Sequence, residues 1–408
     1  MPLTRRQVYR RRRIAVFGGV LLVLATGFYL PLTLLAPVQE VSAAVVPYEA
    51  PAVVEPTVTF PTYGAAGVGA IGYPGVLASA GATEPLPIAS ISKIITALVV
   101  LDAKPLALGE SGPDIVFGDA DVAFYDAQVA DNGSVEAVYS GQVMSQRNAF
   151  NVMLMESANN YAESLASWAY GSQEAFITAA TAWIAAHGLT STAMTEPTGV
   201  SPANVSTVPD LIELARLAEG NPVIAEIVST QTLEVPELGL IGNTNALLGV
   251  GGVDGIKTGT LDEAGACLLF SQDHVVGTQT ITVVGVVLGG PDHDTIDAAI
   301  QSLLTQVDAG FREVTLTTAG QEFASYETPW GDAATAVAAK TSSVAIWSAT
   351  PVTSDVSMDP VTLADAGTTV GQATFTVGTR TITVPLELSA TIDDPGPWWR
   401  LVNPTELF

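Results

Sequence analysis

Pro87-Ile88-Ala89-Ser90-Ile91-Ser92-Lys93-Ile94-Ile95-Thr96-Ala97-Leu98 reads as a helix entered through a serine. Ile91, Ile94, Ile95, Leu98 and Leu101 fit a 3.6-residue period and Pro105 stops the pattern, so the spacing predicts a helix over Ser90–Ala103. Ser90 and Lys93 then stand three apart on one face, with Oγ and Nζ in reach of each other. A serine hydroxyl is a poor nucleophile until a base takes its proton. A lysine serves as that base when burial and a nearby cation depress its pKa. The helix N-terminus adds backbone N–H groups and a positive dipole end, suited to a developing oxyanion. Alone, Ser-x-x-Lys also describes a capping serine followed by a surface lysine, and chance supplies roughly 0.25 such matches here.

Two further motifs lie downstream. Ser157-Ala158-Asn159 falls between two helical runs, where a serine can relay a proton and an asparagine amide can hold a substrate carbonyl. By itself it is equally a helix break with a capping serine. Lys257-Thr258-Gly259-Thr260 precedes a predicted hairpin. Lys257 supplies positive charge, Thr258 and Thr260 can hold a carboxylate, and Gly259 lets substrate backbone lie against the strand. Its bland counterpart is a turn leading into a strand. The three motifs together are expected by chance at roughly 0.006. Two of the chain's four lysines fill the two lysine positions.

Around these motifs the pattern is mixed. Strand-like runs at 68–72 and 75–80 precede the first helix. Helical periodicity recurs at 147–156, 160–170 and 173–187, and over Pro209–Ala218 with Thr207 or Ser206 as cap. Ala264–Ser271 and Thr278–Leu288 read as strands joined by a turn at Gly277, and 292–307 returns to helix. From about 311 the chain turns Thr- and Val-rich with alternating runs, which predicts a small all-β domain over 311–394. The tail 395–408 holds Pro395, Pro397 and the Trp398-Trp399 pair. Its prolines argue against an amphipathic helix, and the tryptophans are expected to pack on the β domain.

The chain has 408 residues, 15 Lys+Arg against 41 Asp+Glu, and a net charge of −26. That balance argues against nucleic acid as a partner, since phosphate binding needs a basic surface. Cys267 is the only cysteine and sits in an apolar run, so it reads as core and excludes an internal disulfide framework. His187, His274 and His293 are scattered, so no metal site is expected. Six arginines crowd residues 1–13, a basic segment expected to stay cytoplasmic. Residues 14–36 are uncharged and long enough to span a bilayer, either as a transmembrane anchor or as a signal sequence cleaved near Val41-Ser42-Ala43. Thr4-Arg5-Arg6-Gln7-Val8 faintly resembles a twin-arginine export signal. Prolines punctuate 37–61, which reads as an extended linker. The expected location is the cell membrane, single-pass with the rest of the chain extracellular, or secreted if the segment is cleaved.

With all three motifs in order, residues 62–310 resemble D-alanyl-D-alanine carboxypeptidases of the low-molecular-mass penicillin-binding protein type. Gly188-Leu189-Thr190 through Glu196-Pro197-Thr198-Gly199-Val200 and Asn243-Thr244-Asn245 through Gly252-Val253-Asp254-Gly255 extend the likeness. The resemblance implies a mixed α/β (α+β) catalytic domain, an antiparallel sheet with helices on both faces and a helical subdomain. It implies acyl transfer to Ser90 from a peptidoglycan stem peptide ending in D-Ala-D-Ala, with Lys93 as base and Ser157 as proton shuttle. Asn159 would orient the substrate, Lys257 would keep Lys93 neutral, and Thr258, Gly259 and Thr260 would bind the substrate's terminus. β-Lactams would acylate Ser90, and no metal or cofactor would be needed. The sequence departs from the family where no arginine occurs between Arg216 and Arg312, leaving His293 as a candidate for the substrate carboxylate. The runner-up activity is D,D-endopeptidase on peptidoglycan cross-links. The rival of another class is a non-catalytic peptidoglycan-binding protein, which has no need of Lys93. A β-lactamase is disfavoured because no Glu-x-x-Leu-Asn stands in the chain.

Overall fold

The computed structural model describes residues 5–50, 52, 56–347 and 350–408. Residues 1–4 of the expected basic segment, 51 and 53–55 of the expected linker, and 348–349 of the expected β domain lie outside the described residues. Contacts divide the chain into two compact units. One holds Val53–Glu313 and Ala345–Thr350; the other holds Met1–Ala52, Val314–Val344 and Pro351–Phe408.

The chain starts with helix α1 (Arg5–Leu34), long and apolar enough to cross a membrane by length and composition. A two-residue strand, β1 (Ala44–Val45), follows. The first unit then builds an antiparallel five-stranded sheet in the order β4-β5-β6-β2-β3. Its strands are β2 (Ala65–Ala70), β3 (Ala78–Gly81), β4 (Val253–Leu261), β5 (Gly265–Val276) and β6 (Gln279–Gly290). Between β3 and β4 the chain forms seven helices: α2 (Ser92–Ala103), α3 (Asp119–Ala130), α4 (Gln146–Met155), α5 (Asn159–Tyr170), α6 (Gln173–Ala186), α7 (Val208–Glu219) and α8 (Pro222–Val228). Helix α9 (His293–Gly310) closes the unit.

Alternation along the strands explains the layering. On β6, Val284, Val286 and Leu288 enter the core shared with α2, α5 and α7, while Val283 and Val287 enter the core shared with α9. Strand β5 divides likewise, Cys267 and Leu269 to the first core, Leu268 and Phe270 to the second. Both faces are buried, which is why these strands read as continuous apolar runs. Small residues set the closeness of the layers. A Cβ on Gly67 would stand 2.4 Å from Val208 Cγ1 and one on Gly69 2.5 Å from Ile212 Cγ2, so α7 lies directly on the backbone of β2. The predicted antiparallel sheet with helices on both faces is present, and Cys267 is fully buried in it.

The second unit carries a six-stranded antiparallel sheet. To β1 it adds β7 (Glu322–Glu327), β8 (Ala333–Ala338), β9 (Val352–Met358), β10 (Thr369–Val377) and β11 (Arg380–Leu388), in the order β1-β7-β8-β11-β10-β9. Ala373, Phe375 and Val377 alternate inward along β10.

Several expectations need correction here. The first strands run over 65–70 and 78–81 rather than 68–72 and 75–80, because the Gly72 and Gly75 positive-φ positions make 71–77 a turn. Helix α3 has no apolar stripe, burying only Gln128, so periodicity cannot find it. The segment 37–61 is not a plain spacer. Ala44 and Val45 pair with Ser325 and Ala324 of β7, and Val41 forms a single antiparallel bridge with Val361. The tail is helical after all, as α10 (Gly396–Val402), because Pro397 stands in its first turn, where a missing N–H costs nothing. Its tryptophans divide: Trp399 stacks edge-on against Trp330 at 5.7 Å between centroids, whereas Trp398 is 76% exposed.

Candidate active site

Ser90 lies in a 3₁₀ turn, Ala89–Ile91, that runs directly into α2. Ala89 before it has φ +47, a strained left-handed value that turns the chain sharply under the serine. Lys93 is 0% exposed although it carries a lysine's charge-bearing end. Its Nζ lies 2.9 Å from Ser90 Oγ, 2.7 Å from Asn159 Oδ1 and 2.7 Å from Thr198 O. Burial pushes the Lys93 pKa well below the ordinary lysine range, and the charge of Lys257 pushes the same way; Glu196 and Glu163 oppose it. A neutral amine has two N–H donors and one lone pair. The two N–H groups suit the Asn159 and Thr198 carbonyls, leaving the lone pair for the proton on Ser90 Oγ.

Asn159 is the first residue of α5, and the α4–α5 break is set by Ser157 at φ +61. Asn159 Nδ2 donates to Gln128 Oε1 at 2.8 Å, and Gln128 Nε2 donates to Glu163 Oε2 at 3.3 Å. The amide that meets Lys93 is therefore held from behind by Gln128 of α3, which is itself held by Glu163 one turn on in α5. Burial raises the Glu163 pKa to about 7. Ser157 is buried at the same junction, but among the described residues no hydrogen bond joins its hydroxyl to Ser90 or Lys93.

Thr198 is held by Glu196. That carboxylate accepts from Thr198 N at 2.6 Å and Oγ1 at 2.7 Å, from Gly199 N at 2.8 Å, Ser201 N at 3.2 Å and Asn204 Nδ2 at 2.9 Å. Gly199 has φ +92, and a Cβ there would lie 2.0 Å from Ala89 O, so the loop passes directly under the Ser90 turn.

Strand β4 forms the facing wall. Lys257 is 1% exposed, and burial lowers its pKa to about 7. Its Nζ donates to Thr258 Oγ1 at 3.3 Å, and that hydroxyl pairs with Thr244 Oγ1 at 2.6 Å. A Cβ on Gly259 would stand 3.1 Å from both Ala89 Cβ and Ser90 N, so β4 presses on the serine turn. Thr260 is exposed, and its Oγ1 lies 2.8 Å from His293 Nε2 at the start of α9. Ser90, Lys93 and Asn159 thus form one bonded cluster, with Gly259 packed on the Ser90 turn and Lys257, Thr258 and Thr260 along the same strand. Gln128, Glu163, Glu196 and Thr244 complete it. Only Glu196 and Thr244 had a sequence signal, as members of the stretches quoted above.

The D-alanyl-D-alanine carboxypeptidase family model matches residues 74–291, which cover the whole cluster apart from His293. A D-alanyl-D-alanine endopeptidase of Pseudomonas aeruginosa is 35% identical over 191 residues, 45% of this chain and 58% of that protein. The chain spans about three fifths of the length of the curated relatives it matches. Among solved structures, the Streptomyces K15 DD-transpeptidase is 26% identical, with a TM-score of 0.53 over 61% of this chain and 98% of its own. Penicillin binding protein 5 of Haemophilus influenzae shares the fold at 19% identity, with a TM-score of 0.58 over 84% of this chain and all of its own. A family match over more than half of the chain, on a cluster built from the family's three motifs, makes the chain a member of the D-alanyl-D-alanine carboxypeptidase family.

Proposed function

We propose that the protein is a serine D,D-carboxypeptidase that removes the terminal D-alanine from peptidoglycan stem peptides and is acylated by β-lactams. The observation that carries the reading is the buried Lys93 amine, bonded to Ser90 Oγ with its other two directions taken by carbonyl oxygens. A module that only binds peptide has no use for that arrangement, since burying an amine costs free energy.

Ser90 Oγ attacks the carbonyl carbon of the penultimate D-alanine while its proton passes to Lys93 Nζ. The N–H groups of Ser90 and Thr260 hold the oxyanion, a role supported by the packing of Gly259 on Ser90 N. The amide C–N bond breaks as the proton held by Lys93 passes through Ser157 to the leaving D-alanine amine, which returns Lys93 to its neutral form. Water then attacks the ester carbon, giving its proton to Lys93, and Ser90 leaves with a proton. Lys257 adds positive potential that disfavours Lys93 protonation. Thr258, Thr260 and His293 receive the terminal carboxylate, a role for His293 supported by its hydrogen bond to Thr260 in a sequence that lacks the family's arginine. Helix α1 anchors the chain in the cytoplasmic membrane, with the residues that follow it outside.

D,D-endopeptidase action on cross-links is the second reading, favoured by the names of the two curated relatives. The test is D-alanine release from a pentapeptide ending in D-Ala-D-Ala, beside cleavage of a cross-linked muropeptide dimer, by wild type and Ser90→Ala. Pentapeptide release lost in the variant supports the carboxypeptidase. Cleavage of the dimer alone moves the activity to the endopeptidase. Release that persists in Ser90→Ala sinks the nucleophile assignment.

A further inference from the structure

Where α1 ends, the chain does not swing free. Tyr29 Oη donates to Leu401 O of α10 at 2.6 Å. Arg400, 7% exposed, donates to Ala36 O and pairs with Asp394. Ala36, Val38 and Leu407 form one small core with Trp330 and Trp399. Five residues on, Val41 and Val361 exchange backbone hydrogen bonds at 2.8 and 3.1 Å, and β1 completes the sheet edge. Contacts therefore follow one another from Tyr29 to Val45.

This docking sets a depth. Tyr29 lies five residues before the end of α1, about 7 Å along a helix axis. An element bonded to it stands beside the last turns of a membrane-crossing helix, which is headgroup territory. Exposed apolar side chains there include Trp398 at 76%, Phe408 at 66% and Val402 at 52%, with Leu35 after α1 at 81%, beside exposed Thr405 and Glu406. Tryptophan in particular favours that boundary, its ring apolar and its indole N–H able to meet water or ester oxygens.

We propose that α10 and the C-terminal residues form a membrane-interface surface, with Trp398, Val402 and Phe408 inserted among the lipid headgroups of the bilayer that α1 crosses. The occupant is a phospholipid bilayer surface, because α10 is fastened to the helix that enters it. The second unit then rests on the membrane instead of hanging from a tether. The segment 36–45 also acts as part of that unit, so α1 is retained rather than cleaved near Val41-Ser42-Ala43. The proposal rests on the reading of α1 as a membrane anchor.

The test uses the full chain with Trp398→Cys, spin-labelled and reconstituted into phosphatidylcholine–phosphatidylglycerol vesicles. Cys267 is fully buried and should stay unlabelled, as wild type treated alike will show. Asp131→Cys, on the exposed turn after α3, is the aqueous control. Covalent labelling by fluorescent penicillin shows that each variant is folded, and flotation with the vesicles reports the anchor separately. The expected result is an oxygen-to-nickel-chelate accessibility ratio at position 398 at least about threefold above that at 131, as for a side chain at the headgroup boundary. Protein that floats with equal ratios at both positions leaves the anchor standing and overturns the interface. A label at 398 shielded from both reagents points to a protein partner and overturns it too. Protein that fails to float removes the anchor and the proposal with it, while penicillin labelling still stands for the peptidase.

Discussion

Glu196→Gln separates the chemistry of the Lys93 pocket from its scaffolding. In wild type one oxygen of Glu196 accepts from Gly199 N, Ser201 N and Asn204 Nδ2, and the other from Thr198 N and Thr198 Oγ1. An amide keeps only one acceptor oxygen. Facing its NH₂ toward Thr198 loses least, since the Thr198 hydroxyl can turn and accept, but Thr198 N then meets another donor. An unsatisfied buried donor costs about 1–3 kcal/mol, and hydrogen bonds to a charged acceptor are worth about 1.5–3 kcal/mol each, so a total of about 2–4 kcal/mol is expected. For a unit of this size that lowers Tm by roughly 5–15 °C. Thr198 O, which receives the Lys93 amine, moves with the loop, and misplacement of that order slows acylation roughly 10- to 100-fold. Electrostatics alone predict the opposite. Glu196 raises the Lys93 pKa, so neutralising it should leave more neutral amine and faster acylation. Thermal unfolding by circular dichroism and stopped-flow acylation by a fluorescent penicillin read the two effects. A Tm within about 2 °C of wild type with unchanged acylation would refute the scaffolding argument, since even one lost hydrogen bond exceeds that.

Gly259→Ala places a methyl 3.1 Å from Ser90 N and should cut the acylation rate by a fluorescent penicillin roughly 100-fold by parting β4 from the serine turn, with Tm lowered by about 2–10 °C for the overpacking. His293→Ala should raise KM for the pentapeptide roughly 10-fold with kcat little altered, and the loss should disappear for a peptide whose terminal carboxylate is amidated; an equal loss on both peptides removes His293 from the carboxylate subsite. Glu163 has its folded pKa raised from 4.5 to about 7, so the folded state holds that proton more tightly than the unfolded chain and the Glu163 contribution to stability is lost as pH rises from about 5 to 7. Glu163→Gln should therefore make the slope of Tm against pH between about 5 and 7 less negative than in wild type, with Glu219, whose pKa burial also raises to about 7, and the buried lysines contributing equally to both proteins; a slope equal to wild type contradicts the assignment.

The fold and much of the site were legible because they obey short-range rules. Ser90 and Lys93 share a helix turn, and the apolar runs of β5 and β6 carry their own evidence of double burial. What escaped was decided across distance. Gln128 meets Asn159 over 31 residues and Glu163 over 35, and α3, which brings it there, has no apolar face for periodicity to detect. Strand β1 spans two residues, too short for any alternation, so a segment that docks by backbone pairing reads as spacer. The charge balance shows the same division. With 41 acidic residues and four lysines, a lysine in this chain has many opportunities for an ion pair, and an ion pair would hold Lys93 protonated. Yet Lys93 and Lys257 are buried at 0% and 1% exposure, and among the described residues neither forms a salt bridge. The two acids that act on Lys93 are kept from pairing with it by the surrounding fold. Glu196 is saturated by five donors, and Glu163 is buried until its pKa reaches about 7, so near neutral pH it holds much less than a full charge. An excess of acid elsewhere is compatible with a neutral amine at Lys93 because each nearby carboxylate already has another use. That condition is a property of the folded loop and of α3 packing, which composition cannot express.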